Sequence, residues 1–158
     1  MPLFAAAGSK VYIGGAKAST STDFVASDFD SETWTEIDGL ENIGTFGDAA
    51  QTITSSLINR GRDVKQKGTR NAGTMDLIVA LNYADAGQLA LIAAEKSPNE
   101  YAFRVDFNDA PEGGSPSQRF FVGLVMSASE ELGEANNTIK LNASLEINSN
   151  IVRVAASA

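Results

Sequence analysis

Residues 139–147 alternate without a break. Ile139, Leu141, Ala143, Leu145 and Ile147 are apolar, and Lys140, Asn142, Ser144 and Glu146 between them are polar or charged. Successive side chains of a strand point to opposite faces, so this run predicts a strand with one buried and one wet face, spanning roughly 30 Å. Residues 74–82 repeat the pattern with Met75, Leu77, Val79 and Leu81 on one face, although Ile78 and Ala80 make the other only partly polar. Tyr101, Phe103, Val105 and Phe107 share a face in a third strand. Residues 119–128 are largely apolar on both faces, which predicts a central strand or one at a subunit contact. Shorter strands are predicted at 10–13 and 34–37, and weaker ones, rich in Thr and Ser, at 43–46 and 51–58.

One segment has helical spacing. Asp85 can cap a helix starting at Ala86, with Gln88 placed for a capping box, Lys96 suited to the C-terminal dipole and Pro98 as the stop. Its sheet-covering face is expected to carry Leu89, Ile92 and Ala93. Residues 16–32 read as a long polar loop anchored by Phe24, Val25 and Phe29, residues 109–117 as a Gly/Pro loop, and residues 130–137 as a turn. Residues 59–73 show no apolar periodicity and hold Arg60, Arg62, Lys65, Lys67 and Arg70, five of the twelve cations in the chain, so they read as a mobile loop. Residues 1–9 read as a terminal arm, and residues 151–158 as another short strand or an arm. Together these elements predict one domain over 1–158, mainly β with a minor α part: an antiparallel β-sandwich or barrel with one flanking α-helix.

Composition narrows the chemistry. The 158 residues contain no cysteine and no histidine, which removes disulfides, thiolate metal sites, Ser-His and Cys-His nucleophilic pairs and the commonest metal ligand. The closest carboxylate pairs, Glu130-Glu131 and Asp28-Asp30, lie in turn-like sequence and read as solvated charges. The acidic run at 28–32 lacks the glycine and the distal glutamate of a helix–loop–helix calcium site. Gly68 to Gly73 lacks the Gly-Lys-Ser/Thr ending of a phosphate loop, and a strand follows it in place of a helix. The expectation is therefore no enzyme, no metal and no cofactor. Twenty acidic against twelve basic residues give a net charge of −8, which opposes nucleic-acid binding. No segment reads as a signal peptide or a membrane span, so a soluble chain folded in a cytoplasm is expected. On so acidic a chain, the cationic stretch at 59–73 reads as a surface that docks on an acidic face of another copy.

The order of the motifs resembles the major tail tube proteins of bacteriophages with long, non-contractile tails. Trp34-Thr35-Glu36-Ile37-Asp38-Gly39-Leu40 and Ile43-Gly44-Thr45-Phe46-Gly47 come first. Lys67-Gly68-Thr69-Arg70-Asn71-Ala72-Gly73 then leads into the strand at 74–81, and the helix with Gln88 follows. Tyr101-Ala102-Phe103-Arg104-Val105-Asp106-Phe107, Phe120-Phe121-Val122-Gly123-Leu124-Val125 and residues 137–148 complete the series. The resemblance spans roughly residues 10–150, and its specificity lies in order and spacing.

The resemblance implies a sheet sandwich flanked by a helix, six copies closing into a ring with a continuous inner β-barrel, and rings stacking into a virion tail tube that conducts DNA into the host. Twenty-four strands at about 4.8 Å spacing and about 40° tilt give a backbone circle roughly 48 Å across. It also implies assembly in the host cytoplasm, with tape-measure, distal tail and tail terminator proteins as partners, no membrane anchor, and DNA passing without specific binding. On this reading Asp76, Asn142, Ser144, Glu146 and Asn148 are lumen-lining candidates, with Lys140 to be neutralised by a neighbour. Arg60, Arg62, Lys65, Lys67 and Arg70 are candidates for contacts between subunits or rings, as is the 16–32 loop. Two other readings stand beside it: a tube protein of a contractile tail or type VI secretion-like machine, and a monomeric β-sandwich binding module.

Overall fold

The computed structural model describes residues 2–158. In chain order the elements are β1 (Lys10–Ala16), a 3-10 turn (Ala26–Phe29), β2 (Thr35–Ile37), β3 (Leu40–Asn42), β4 (Ala49–Ser55), β5 (Val64–Asn71) and β6 (Thr74–Ala80). Then come α1 (Ala86–Lys96), β7 (Tyr101–Asp106), β8 (Gln118–Glu131), β9 (Lys140–Ile147) and β10 (Val152–Val154). Eight strands form one antiparallel sheet in the order β2-β1-β7-β8-β9-β6-β3, with β10 paired to the start of β8 beyond the end of β9. Its two outermost strands, β2 and β3, are joined by Asp38 and Gly39 alone, so the sheet curls into a partly closed barrel. Gly39 turns with φ +81°, and its carbonyl accepts from the Ala80 amide at 2.8 Å. β4 and β5 form a separate two-stranded sheet.

The inner face follows the alternation of the sequence. Met75, Leu77 and Val79 of β6, Leu141, Ala143 and Leu145 of β9, Phe103 and Val105 of β7, and Val11 and Ile13 of β1 are all buried in one core. α1 presents Gly87, Gln88, Leu91 and Ala94 to that core, whereas Leu89 is 45% exposed. This corrects the expected face of Leu89, Ile92 and Ala93: of the three only Ile92 packs partly against the core. The rotation is set by polar contacts rather than by the bulk of the apolar residues. Asp85 caps the helix by accepting from the Gln88 amide at 3.0 Å and also accepts from the Asp38 amide at 3.2 Å. The fully buried Gln88 side chain donates to the carbonyls of Asp38 at 2.9 Å and Ala80 at 3.0 Å, and its Oε1 accepts from the Asn82 amide at 2.8 Å. It thereby ties the end of β2 to the end of β6, where the curled sheet meets itself. A Cβ on Gly87 would overlap the carbonyl oxygen of Glu36, so the helix lies directly on β2.

The outer face is covered over part of its area only. The segment between β1 and β2 is not a free loop: Phe24 and Phe29 bury themselves with Ala102, Phe120, Val122 and Val152, and Trp34 packs beside them half-buried, its ring 6.4 Å from that of Phe29. Asn150 clasps both backbone groups of Phe24, accepting at 2.7 Å and donating at 3.0 Å. Glu100 accepts from the amide and hydroxyl of Ser19 and from Asn148. Residues 17–34 are thus a strap laid over β1, β7 and the first half of β8.

Three further boundaries differ from expectation. Val64–Asn71, read as part of a mobile loop, is a strand paired with β4 in the register Thr54↔Lys65 and Thr52↔Lys67. β8 runs on to Glu131, through a bulge at Met126, and so takes in the start of the expected turn. The strand expected at 43–46 lies instead at Leu40–Asn42, whereas the short strand read at the C-terminal segment is present as β10.

Replacing Gln88 with Leu keeps the volume but leaves two carbonyls and one amide without their partner. Unfolding in urea is expected to show a loss of about 2–4 kcal/mol. Glu100 gives a pH dependence: burial raises its pKa, but the bonds from Ser19 and Asn148 outweigh burial and hold it below the ordinary glutamate value. Its contribution is therefore present above the unfolded pKa of about 4.3 and is lost as pH falls through the lower folded value. Trp34 fluorescence is expected to report loosening of the strap below about pH 4.3, and Glu100→Gln to remove that step.

Candidate functional site

Two surfaces are left when the core and the strap have been formed. The first is the remainder of the outer sheet face. Register places Asp76 of β6 beside Ser144 of β9 and Ser144 beside Ser127 of β8; Asn142 lies between Ile78 and Ser129, and Glu146 between Thr74 and Leu124. These side chains share one face because the period of a strand is two, and the bulge at Met126 returns β8 to the same phase as β9. A shallow recess of about 300 Å³ runs between Asp76, Ile78, Ser127, Ser129, Asn142 and Ser144. Glu146 accepts from the Thr74 hydroxyl at 2.7 Å, and Asn142 Oδ1 is buried without a partner.

The electrostatics of this stretch are acidic. Asp76, Glu131 and Glu146 are exposed on it, and its one cation, Lys140, pairs with Glu41 at 3.3 Å. Four of the five residues singled out from the sequence, Asp76, Asn142, Ser144 and Glu146, therefore fall side by side. Asn148 falls elsewhere: it lies past the end of β9, with its side chain bonded to Glu100 and Ser19 of the strap. Ser127 and Ser129 belong to the stretch and were not legible from sequence, because the bulge shifts the phase of β8 midway.

The second surface is the β4–β5 hairpin. Nearly all of its residues are exposed, and neither strand makes substantial contact with any other element of the described chain. Ile53 is 44% exposed, Leu57 44% and Val64 40%, and Ile58 at the tip is fully exposed. Lys65 and Lys67 stand two apart on one face of β5, Arg60 and Arg62 lie in the tip, and Arg70 is tied at the base by a 2.9 Å ion pair to Asp48. The five cations thus sit on one projecting element, four of them without an ion pair among the described residues. A two-stranded hairpin on its own is at best marginally stable in water, and its two open edges invite further pairing.

Among the described residues no group of three or more Asp and Glu is placed to hold a metal ion. Among the same residues no helix is long and apolar enough to cross a membrane.

No protein-family model matches the chain, and no curated protein sequence matches it. Solved structures do. A chain in the anti-feeding prophage baseplate superposes with a TM-score of 0.67 at 11% identity, over 98% of this chain and 98% of that one. The SPP1 tail tube superposes with a TM-score of 0.58 at 13% identity, over 93% of this chain and 76% of that one. An Hcp protein aligns over 95% of this chain and 98% of its own with a TM-score of 0.46, a likeness too distant to argue from. At these identities the likeness is one of fold, and it extends over nearly the whole chain. The fold of the described residues is thus similar to that of a prophage baseplate chain and of a tail tube chain.

Proposed function

We propose that this chain is a structural tube subunit: six copies close into a ring, rings stack, and the polar stretch of β6, β9 and β8 faces the lumen through which DNA leaves a phage tail. The observation that carries this reading is the β4–β5 hairpin. A chain that extends about twenty residues into solvent, with apolar side chains along them and no core beneath, is built to be covered by another molecule. Heterologous contacts of that kind make closed rings where the rotation closes and filaments where it does not.

The lumen assignment rests on charge. A wall carrying Asp76 and Glu146, with Lys140 neutralised by Glu41, offers phosphates no cationic foothold, so a polyanion slides along it without being held. Tape-measure, distal tail and terminator proteins are the partners that such a tube requires at its core and its two ends. The likeness to an anti-feeding prophage baseplate chain favours one second reading, a ring of a related injection machine with other cargo. Genes encoded beside this one would separate the two.

The test removes the hairpin. Residues 51–69 replaced by Gly-Gly are expected to leave a monomer with an unchanged melting transition that forms no rings or tubes in negative-stain images at concentrations where the full chain does. Assembly of the shortened chain at the normal concentration would overturn the reading. Converting Arg60, Arg62, Lys65 and Lys67 to Ser is expected to raise the concentration needed for assembly by tenfold or more.

A further inference from the structure

Two arginines meet in this acidic chain, and among the described residues neither is held in an ion pair. Arg119 of β8 and Arg153 of β10 are direct cross-strand partners, with both side chains lining a cavity of about 350 Å³ walled by Phe46, Phe107 and Ile151. Like charges placed directly opposite each other on a sheet destabilise it. Neither arginine has a carboxylate within ion-pair distance among the described residues. Arg119 is held in place by stacking over Phe107 at 4.5 Å and by donating to the Gln118 carbonyl at 2.9 Å, which fixes its guanidinium at the cavity wall. Burial and the charge of Arg153 both push the pKa of Arg119 down, and the charge of Asp109, which makes no ion pair with it, opposes them in part.

The complementary feature lies at the other end of the same strand. β8 ends at Glu131, and the turn that follows carries Leu132, 60% exposed, and the exposed Glu134. Two carboxylates flanking an apolar side chain match two guanidinium groups beside aromatic walls. Twelve residues separate Arg119 from Glu131, roughly 40 Å at about 3.3 Å per residue, so the two ends of one chain cannot meet.

We propose that the Arg119–Arg153 cavity binds the carboxylates of residues 131–134 from a second copy of the chain, Glu134 on Arg153 and Glu131 on Arg119, joining copies head to tail along the direction of β8. The contact rests on the tube reading and assigns one of its interfaces. Duplex DNA does not fit the role, because the cavity is small and the molecule around it is acidic.

Charge reversal tests it. Arg153→Glu and Glu134→Arg, each alone, are expected to raise the concentration needed for assembly at least tenfold, and the chain carrying both is expected to return to within about threefold of the wild type. Melting curves of the monomers check folding; if Arg153→Glu melts early, Arg153→Gln removes the charge without adding one and is read the same way. Single variants that assemble like the wild type, or a double variant no better than the singles, would overturn this contact while leaving the tube reading standing on the hairpin deletion. A wild-type chain that stays monomeric at every concentration would overturn both.

Discussion

The described residues hold one α-helix and one strap with which to cover a sheet of eight strands that has two faces. Everything else follows from how that limited cover is distributed. Curling the sheet lets its inner face bury itself, with α1 needed only where β2 and β3 leave a gap. The strap then covers the outer face as far as β1, β7 and the first half of β8. Past that point no cover remains among the described residues, and the outer face there carries mostly polar side chains beside Ile78 and Leu124. The boundary is visible within β8 itself: Phe120 and Val122 lie beneath the strap, while Ser127 and Ser129 lie beyond it.

Where the cover is thin, hydrogen bonds hold it. Gln88 satisfies two carbonyls and one amide at the closing point of the barrel, and Asp85 adds the amides of Asp38 and Gln88. Such a side chain stabilises through the cost of leaving its partners unpaired rather than through its own net energy. The strap is held in the same manner by Asn150 and Glu100. Both attachments join segments far apart in sequence, so the polar anchors determine which way round the apolar pieces dock. The helix shows this plainly: its exposed Leu89 would have been as good an anchor by hydrophobicity as the buried Leu91.

The strands that bury a face inside the monomer were legible in the sequence, because alternation records burial. Residues 140–147, 74–80 and 101–106 stand where their patterns place them, although Ile139 lies before the strand and is exposed, and Asp85 and Pro98 bracket the helix. β5 was not legible, for the same physical reason. Neither of its faces is covered by the described chain, so Val64 to Asn71 shows no alternation and reads as a loop. The four clustered lumen candidates were legible as one face of two strands. Asn148 was not separable from them, since its engagement by Glu100 and Ser19 depends on a strap 129 residues away in sequence. The contribution of β8 to that face depends on a bulge that no pattern announces.

The central claim is that surfaces left bare in one copy are covered by others. Amide hydrogen exchange of residues 49–71, compared between the monomer and the assembled form, tests it most directly. Open hairpin amides exchange quickly when nothing supports them and slowly when packed and paired. Slowing by a hundredfold or more across β4 and β5 on assembly is the predicted result. Equal exchange of the hairpin in both states, alongside protected core strands, would contradict the account.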